Sequence, residues 1–261
     1  MSTMQEKLKK MNPRQLEAVL HTEGPLLILA GAGSGKTTVL INRIAYIIDQ
    51  SLAKPWQILA ITFTNKAAGE LKERLTAMLG DTGGDVWAAT FHSTCARILR
   101  RDGDRIGYSS HFTVYDTDDS KRLVKDCQKA LNIDDKMISH KSILSEISHA
   151  KDSMLSPADY QAAAGSDFRL AKIGAVYELY QKRLREADAM DFDDLLGNTV
   201  EMFWNTIKTG SATSWWTSIR IPTKYSMNLS AFLPRKAKTS AWWATTTKAS
   251  ISFEARPSRI S

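Results

Sequence analysis

The chain has 261 residues, 43% of them hydrophobic, which suits one large or two small globular domains. It has no apolar run of the roughly 18 residues that a membrane span needs and no apolar signal core at its N-terminus, so we expect a cytoplasmic protein. With only two cysteines, Cys95 and Cys127, we expect no disulfide framework. The net charge of +7 is uneven: residues 204–261 carry +8, and the residues before them sum to −1.

The first hundred residues alternate short apolar segments with amphipathic ones. We predict three strands, at Leu26–Leu29, Ile58–Phe63 and Val86–Thr90. A helix follows each strand: the first ends near Ile48, the second spans Asn65–Leu79, and the third runs through Cys95 to Arg100. Strands that alternate with helices predict an α/β fold, a parallel sheet with helices on both faces.

A glycine-rich turn joins the first predicted strand to the first helix. It comprises Ala30, Gly31, Ala32, Gly33, Ser34, Gly35, Lys36, Thr37 and Thr38. In this position such a turn is typical of a phosphate-binding loop (P-loop), whose backbone N–H groups surround a polyphosphate at the positive end of the helix dipole. Lys36 then reaches the β- and γ-phosphates, and the Thr37 hydroxyl ligates Mg²⁺. The alternative is a turn that only resembles a P-loop, since the strict pattern has glycine where Ala30 stands.

Polar and aromatic residues follow the second and third predicted strands, at the edge where parallel sheets bind ligands. Phe63 ends the second predicted strand and is followed by Thr64, Asn65 and Lys66, while Thr90 ends the third and is followed closely by His92 and Ser93. An exposed aromatic ring can stack on a nucleic-acid base, while the polar residues can contact phosphate and sugar. The alternatives are a helix cap with a solvated lysine after the second strand, and a structural histidine after the third.

Two further segments have both a structural and a functional interpretation. Asn12–Gln15 precedes the P-loop, and the Gln15 amide has the donor and the acceptor that read an adenine edge. Taken alone, the segment is better explained by a polar residue that opens a helix. Met190–Leu196 is an acidic helix start, where we favour N-terminal capping by the carboxylates over metal binding.

The region 109–187 is charged and has helical apolar spacing, with a candidate cap at Thr117–Ser120. It predicts a helical subdomain inserted into an α/β core of residues 1–108 and 188–203.

These motifs, in this order, resemble those of superfamily 1 DNA helicases of the UvrD/PcrA/Rep type. Asn12–Gln15 resembles the adenine-reading Q motif, Ala30–Thr38 the Walker A motif, Thr62–Ala68 motif Ia, Thr90–Arg100 the motif Ib region, and Met190–Leu196 the return from the inserted subdomain. The resemblance covers about residues 8–203. It implies a RecA-like P-loop core that uses ATP and Mg²⁺, binds single-stranded DNA or a duplex/single-strand junction, and moves 3′-to-5′ to unwind duplex.

The resemblance stops after Phe203. The family's Walker B segment, Val-Asp-Glu-Tyr-Gln-Asp, is missing, because Glu254 is the only acid after Glu201, and the family's later motifs are missing too. If the reading frame is moved back by one base, the codons of Trp215-Trp216-Thr217 must encode Val and then Asp. In the same frame, the codons that follow can encode Glu-Tyr-Gln-Asp-Thr. The same shift from Trp242 permits a sequence like the family's motif III.

We therefore predict that residues 204–261 are an out-of-frame, poorly folded tail. It would leave the sheet incomplete and the chain truncated as a helicase and catalytically impaired. The alternative is a genuine basic tail, containing tryptophans, that binds nucleic acid. Three functional classes follow: a helicase by descent, a non-catalytic ATP- or DNA-binding fragment, or another P-loop enzyme such as a nucleotide kinase. The kinase is disfavoured because it has no role for the segments that resemble motifs Ia and Ib.

Overall fold

The computed structural model describes residues 3–23, 26, 28, 31 and 33–208, which form two compact units, residues 3–91 and 92–208. Each unit has a short parallel sheet and hydrophobic clusters of its own. The fold is therefore α/β and mostly helical. The finer division into a core and an inserted subdomain stays a prediction.

The first unit packs helices against a two-stranded parallel sheet. Its elements are α1 (Thr3–Lys9), α2 (Pro13–Leu20), α3 (Lys36–Asp49), β1 (Leu59–Thr62), α4 (Asn65–Leu79), α5 (Asp81–Gly84) and β2 (Trp87–Thr90). In the β1–β2 register, Leu59 lies opposite Trp87 and Thr62 opposite Thr90. Because the strands are parallel, both end at the same edge of the sheet.

An apolar stripe on α3 forms much of this unit's core. Ile41, Ile44 and Ile47 recur at helical spacing and are buried against Leu71 and Leu75 of α4. A second cluster on another side of α3 joins that helix to α1 and α2, and the half-buried Leu26 and Ile28 pack against it. The helix that begins at Lys36 is thus held by apolar contacts on two sides.

The second unit is a helical assembly with a very short parallel sheet. Its elements are α6 (Phe91–Asp102, whose first residue belongs to the first unit), β3 (Thr113–Val114), α7 (Thr117–Ala130), α8 (His140–Asp152), α9 (Pro157–Ala164), α10 (Phe168–Glu186), β4 (Ala189–Met190) and α11 (Phe192–Lys208). Strands β3 and β4 pair through Thr113 opposite Ala189. Side chains of α10, including Ile173 and Tyr180, are buried against α7 and α8.

The predicted elements from β1 to α6 are present within one or two residues of their expected bounds, and the parallel pairing of β1 with β2 is confirmed. Helix α7 differs in its cap: Asp116, one residue before the predicted cap, accepts hydrogen bonds from the amides of Asp118 and Asp119 at 2.8 and 2.9 Å. A carboxylate one position earlier reaches the unpaired amides of the first turn, which explains the shift.

Some predictions concern residues outside the described part of the chain. They include Leu27 and Leu29 of the first predicted strand and most of the predicted tail, residues 209–261. Helix α11 continues to Lys208, past the predicted start of the tail at residue 204. Within the described residues, the helices are too short or too polar to cross a membrane, and Cys95 and Cys127 are buried thiols without a disulfide.

Candidate functional site

Two glycines with left-handed backbone shape the loop that precedes α3. Gly33 has a φ of 75° and Gly35 a φ of 82°, values that residues with a side chain rarely adopt. Gly35 is the N-cap of α3, so the loop leads its amides directly to the helix N-terminus. A Cβ added at Gly31 or Gly33 would meet no atom within 4 Å, which leaves room for a ligand against the backbone. Ala30 and Ala32 lie outside the described residues.

Three donors of this loop converge on the carbonyl oxygen of Gly31. The Lys36 ammonium lies 3.0 Å from it, the Ser34 hydroxyl 2.8 Å and the Ser34 amide 3.4 Å. Lys36 therefore folds back over the loop that precedes it. Phosphate oxygens carry more negative charge than a carbonyl oxygen and form stronger hydrogen bonds with an ammonium group. The arrangement is thus suited to a polyphosphate.

Gln15 ties α2 to the same loop. Its Nε2 donates to the carbonyl of Ser34 at 3.0 Å, and its Oε1 accepts from the amide of Asn12 at 3.3 Å. The Asn12 side chain in turn accepts from the amide of Gln15 at 2.8 Å, which completes a capping box at the start of α2. The capping interpretation of Gln15 is therefore correct, and the bond to Ser34 places the same residue beside the loop.

A groove of about 300 Å³ begins beside the loop, and we call it the α3 groove. It is lined by Lys7, Thr38, Ile41, Asn42, Arg74, Ala77 and Met78. Thr38 is the last residue of the predicted P-loop, so the groove extends from that loop along α3. Its two cations, Lys7 and Arg74, form no ion pair within the described residues.

The segment after β1 combines an exposed aromatic ring with a helix cap. Phe63 is 61% exposed, and its ring centroid lies 5.8 Å from that of Phe91. The Thr64 hydroxyl accepts from the amide of Ala67 at 3.1 Å, so the capping interpretation is correct for this residue. Asn65 and Lys66 are exposed in the first turn of α4. Phe63 therefore presents a face at the carboxyl edge, as a stacking platform requires.

Three predicted site residues follow in the next strand and helix. Thr90, the last residue of β2, is buried opposite Thr62. In the second unit, the half-buried His92 packs its ring edge-on against Phe192, with centroids 5.5 Å apart, and this fits the structural interpretation of the histidine. Ser93 is exposed. Their contacts with DNA stay predictions.

A buried ionic group, which we call the Lys151 cluster, lies at the start of α11. The Lys151 ammonium is 2.6 Å from an oxygen of Asp191 and 2.8 Å from one of Asp194. The Tyr180 hydroxyl donates to Asp191 at 2.9 Å, and the Gln181 amide donates to Asp194 at 3.0 Å. Asp191 also accepts from the amide of Asp194 at 2.8 Å, which is the capping contact favoured for this segment.

The cluster shifts the pKa values of its members. Burial alone would lower the pKa of Lys151, but the charges of Asp194 and Asp191 together outweigh burial and raise it. Burial also raises the pKa of Asp194. For Asp191, burial acts in the same direction, but the Lys151 charge and several hydrogen bonds outweigh it and lower the pKa. One cation thus balances two carboxylates away from water.

The residues near the P-loop offer few ligands for a metal ion. The described residues contain no group of three or more His, Cys, Asp or Glu side chains that could hold one. Thr37 supplies one exposed hydroxyl in the first turn of α3. Mg²⁺ usually keeps several waters and binds phosphate oxygens, so a single hydroxyl beside a polyphosphate fits that ion.

Comparison with known proteins identifies the family. Residues 11–221 match the model of the UvrD/REP helicase N-terminal domain. The chain belongs to this family. Its relatives include proteins named ATP-dependent DNA helicase PcrA from Staphylococcus aureus strains Mu50 and NCTC 8325, each 49% identical over 196 residues, and from Staphylococcus epidermidis strain ATCC 12228, 48% identical over the same length. These alignments cover 75% of the chain and 27% of each relative, so the chain spans about a quarter of their length.

Two features of this UvrD/REP domain were missed by sequence reasoning. The α3 groove joins residues of α1, α3 and α4 that are far apart in the chain, and no local pattern predicts it. For the Lys151 cluster, the sequence indicated only the acidic residues near the start of α11. Lys151 lies 40 residues before Asp191 and has the appearance of an ordinary charged residue in a helix. The apolar neighbours Ile147 and Ala150 were the one available signal that Lys151 stands beside a buried face.

Proposed function

We propose that this UvrD/REP N-terminal domain binds ATP through Ala30–Thr38. Lys36 contacts the β- and γ-phosphates, Thr37 ligates Mg²⁺, and Gln15 exchanges one of its present hydrogen bonds for the adenine edge. The observation that carries the proposal is the convergence of the Lys36 and Ser34 donors on one oxygen at the N-terminus of α3. An amide, a hydroxyl and an ammonium group that share one acceptor beside a helix N-terminus favour a polyphosphate.

We propose further that the chain binds single-stranded DNA, alone or at a junction with duplex. The proposed contacts are Phe63, Thr64, Asn65, Lys66, Thr90, His92 and Ser93. The exposure of Phe63 at the carboxyl edge of the sheet supports this assignment most directly. In a full-length helicase of the family, such contacts would serve ATP-driven 3′-to-5′ movement. We assign this chain nucleotide and DNA binding in the cytoplasm without efficient turnover, since residues 204–261 contain no Walker B segment.

The ATP site is tested by replacing Lys36. We expect Lys36→Ala to weaken ATP binding by about 10- to 100-fold, the effect of losing hydrogen bonds to a charged group. Calorimetric titration with Mg·ATP measures the affinity. Lys72→Ala, which removes an exposed lysine of α4 that does not line the α3 groove, is the matched control and should bind ATP as the unsubstituted chain does. Equal affinities of the two variants would contradict the assignment.

The DNA site is tested by replacing Phe63. We expect Phe63→Ala to weaken binding of a fluorescent oligo-dT by about 5-fold or more, because one stacked base contributes about 1–3 kcal/mol. Fluorescence anisotropy measures the change. Trp56→Ala is the control, since Trp56 is 47% exposed but precedes β1 and so lies at the other end of that strand. If Trp56→Ala weakened binding as much as Phe63→Ala, the carboxyl edge would not be the DNA site.

A further inference from the structure

Asn42 is a buried polar residue with half of its amide unused. The side chain is 5% exposed and lies one helical turn after Thr38 on the same face of α3. Its Nδ2 donates to the carbonyl of Thr38 at 2.8 Å. Its Oδ1 accepts no hydrogen bond from the described residues. Buried acceptors nearly always have a partner, so this atom is available to a donor that the described residues do not supply.

The surroundings of Asn42 indicate where that donor comes from. Asn42 lines the α3 groove together with Thr38, which is also the last residue of the P-loop. Lys7 and Arg74 line the same groove and make it electropositive, while Ile41, Ala77 and Met78 supply an apolar wall. A volume of about 300 Å³ lies at the lower end of ligand pockets, enough for part of a small molecule whose remainder lies in the adjoining loop.

Resting on the proposed ATP site, we infer that Asn42 accepts a hydrogen bond from a ribose hydroxyl of the nucleotide whose phosphates the P-loop holds. Asn42 is then a specificity-determining residue that favours ribonucleotides over deoxyribonucleotides. The sugar is the part of a nucleotide attached to the α-phosphate, and the α3 groove adjoins the predicted P-loop at Thr38, so the proposal places the sugar in this groove. A hydroxyl is also the donor that an isolated carbonyl-type acceptor needs.

The positive charge of the groove has a separate role in this proposal. Lys7 and Arg74 attract the polyphosphate as a whole and do not distinguish one sugar from another. Removing Arg74 should therefore weaken all nucleotides alike, whereas removing the Asn42 acceptor should change only the difference between sugars. This contrast separates a contact that reads the ribose from general electrostatic attraction.

The test compares ATP, 2′-deoxy-ATP and 3′-deoxy-ATP by calorimetric titration of the full 261-residue chain. We expect at least one deoxy analogue to bind about 5-fold more weakly than ATP, the effect of one hydrogen bond to a neutral acceptor. In Asn42→Leu, which keeps the approximate side-chain volume, the three affinities should become equal. Asn42→Ala provides a second variant, because alanine is readily accommodated in a helix. Arg74→Gln is the control and should keep the preference while lowering all three affinities.

The outcomes separate this inference from the proposed function. If the unsubstituted chain binds all three nucleotides equally and in a Lys36-dependent manner, the ATP site stands and the role of Asn42 is refuted. A preference that persists in folded Asn42→Leu or Asn42→Ala, as judged by circular dichroism, refutes it as well. If no nucleotide binds in a Lys36-dependent manner, the proposed ATP site fails, and the assignment of Asn42 fails with it.

Discussion

Gly35 combines a left-handed backbone with a close neighbour. A Cβ at this position would lie 3.1 Å from Nε2 of Gln15 and 3.9 Å from Cβ of Thr38. Gly69, within α4, has no atom within 4 Å of an added Cβ and has no positive φ. A side chain at Gly35 is therefore disfavoured by the backbone conformation and by its neighbours, whereas a side chain at Gly69 is tolerated. Of these two positions, Gly35 is the one where the backbone conformation requires glycine.

Alanine substitution should separate these two glycines. We expect Gly35→Ala to lower the free energy of unfolding by about 1–2 kcal/mol, the cost of a left-handed conformation for a residue with a Cβ. It should also displace Gln15 from Ser34 and weaken ATP binding. Gly69→Ala should instead stabilise the chain by about 0.5–1 kcal/mol, because alanine favours a helix interior. Chemical denaturation measures the free energy of unfolding of both variants. If Gly35→Ala were as stable as Gly69→Ala, the described loop geometry would be contradicted.

Secondary-structure elements were predictable where local signals agree. The Thr64 cap and the apolar spacing of Leu71 and Leu75 define α4, whose bounds match the prediction. Helix α9 was missed, although Ser156, Pro157 and Asp159 form a capping box with proline at the first helical position. In the candidate site, the sequence indicated the chemistry of Lys36 and Gln15. It could not indicate that Gln15 bonds to Ser34, because that contact depends on how α2 packs against α3.

The Lys151 cluster connects α8, α10 and α11, and breaking it should be costly. Lys151→Met leaves Asp191 and Asp194 buried without their cation, so we expect a loss of about 3–5 kcal/mol in unfolding free energy at pH 7. Lys182→Met is the control: its ion pair with Glu186 spans 3.9 Å between exposed side chains and should contribute less than about 1 kcal/mol. Urea denaturation of both variants provides the comparison. Similar losses in the two variants would show that the buried cluster does not hold these helices together.

The Lys151 cluster also predicts that the unsubstituted chain and Lys151→Met respond differently to a fall in pH. In the unsubstituted chain the pKa of Asp191 is lowered, so its stabilising effect exists above the unfolded-state pKa and is lost as pH falls through the folded value. The pKa of Asp194 is raised, so protonation of this carboxyl as pH falls favours the folded state. In Lys151→Met both carboxyls lose the cation, their folded pKa values rise, and protonation favours the folded state. The stability deficit of Lys151→Met should therefore shrink between pH 7 and pH 5, and a deficit that grows over this interval would contradict the mechanism.

Across the whole chain, composition changes where the motifs end. Residues 204–261 contain five of the seven tryptophans and nine Lys/Arg against one acid, unlike the −1 balance of the preceding residues. The family match extends to residue 221, within this segment, while the structure describes α11 as far as Lys208. The out-of-frame interpretation stays a prediction that the coding DNA decides. If that interpretation is correct, the carboxylates that would face Lys36 and Thr37 are not encoded in this reading frame.

The proposal that this chain binds ATP without efficient turnover rests on the scarcity of carboxylates in residues 204–261. In P-loop enzymes an Asp holds Mg²⁺, and a further polar or acidic group orients the attacking water, but the only acid after Glu201 is Glu254. We therefore expect ATP binding without Lys36-dependent turnover. Phosphate release by the unsubstituted chain and by Lys36→Ala, each with and without single-stranded DNA, should proceed at the same background rate, even under conditions where only the unsubstituted chain binds ATP. Phosphate release that depends on Lys36 and increases with DNA would show that other carboxylates complete the site, and would refute the assignment of this chain as a binding domain.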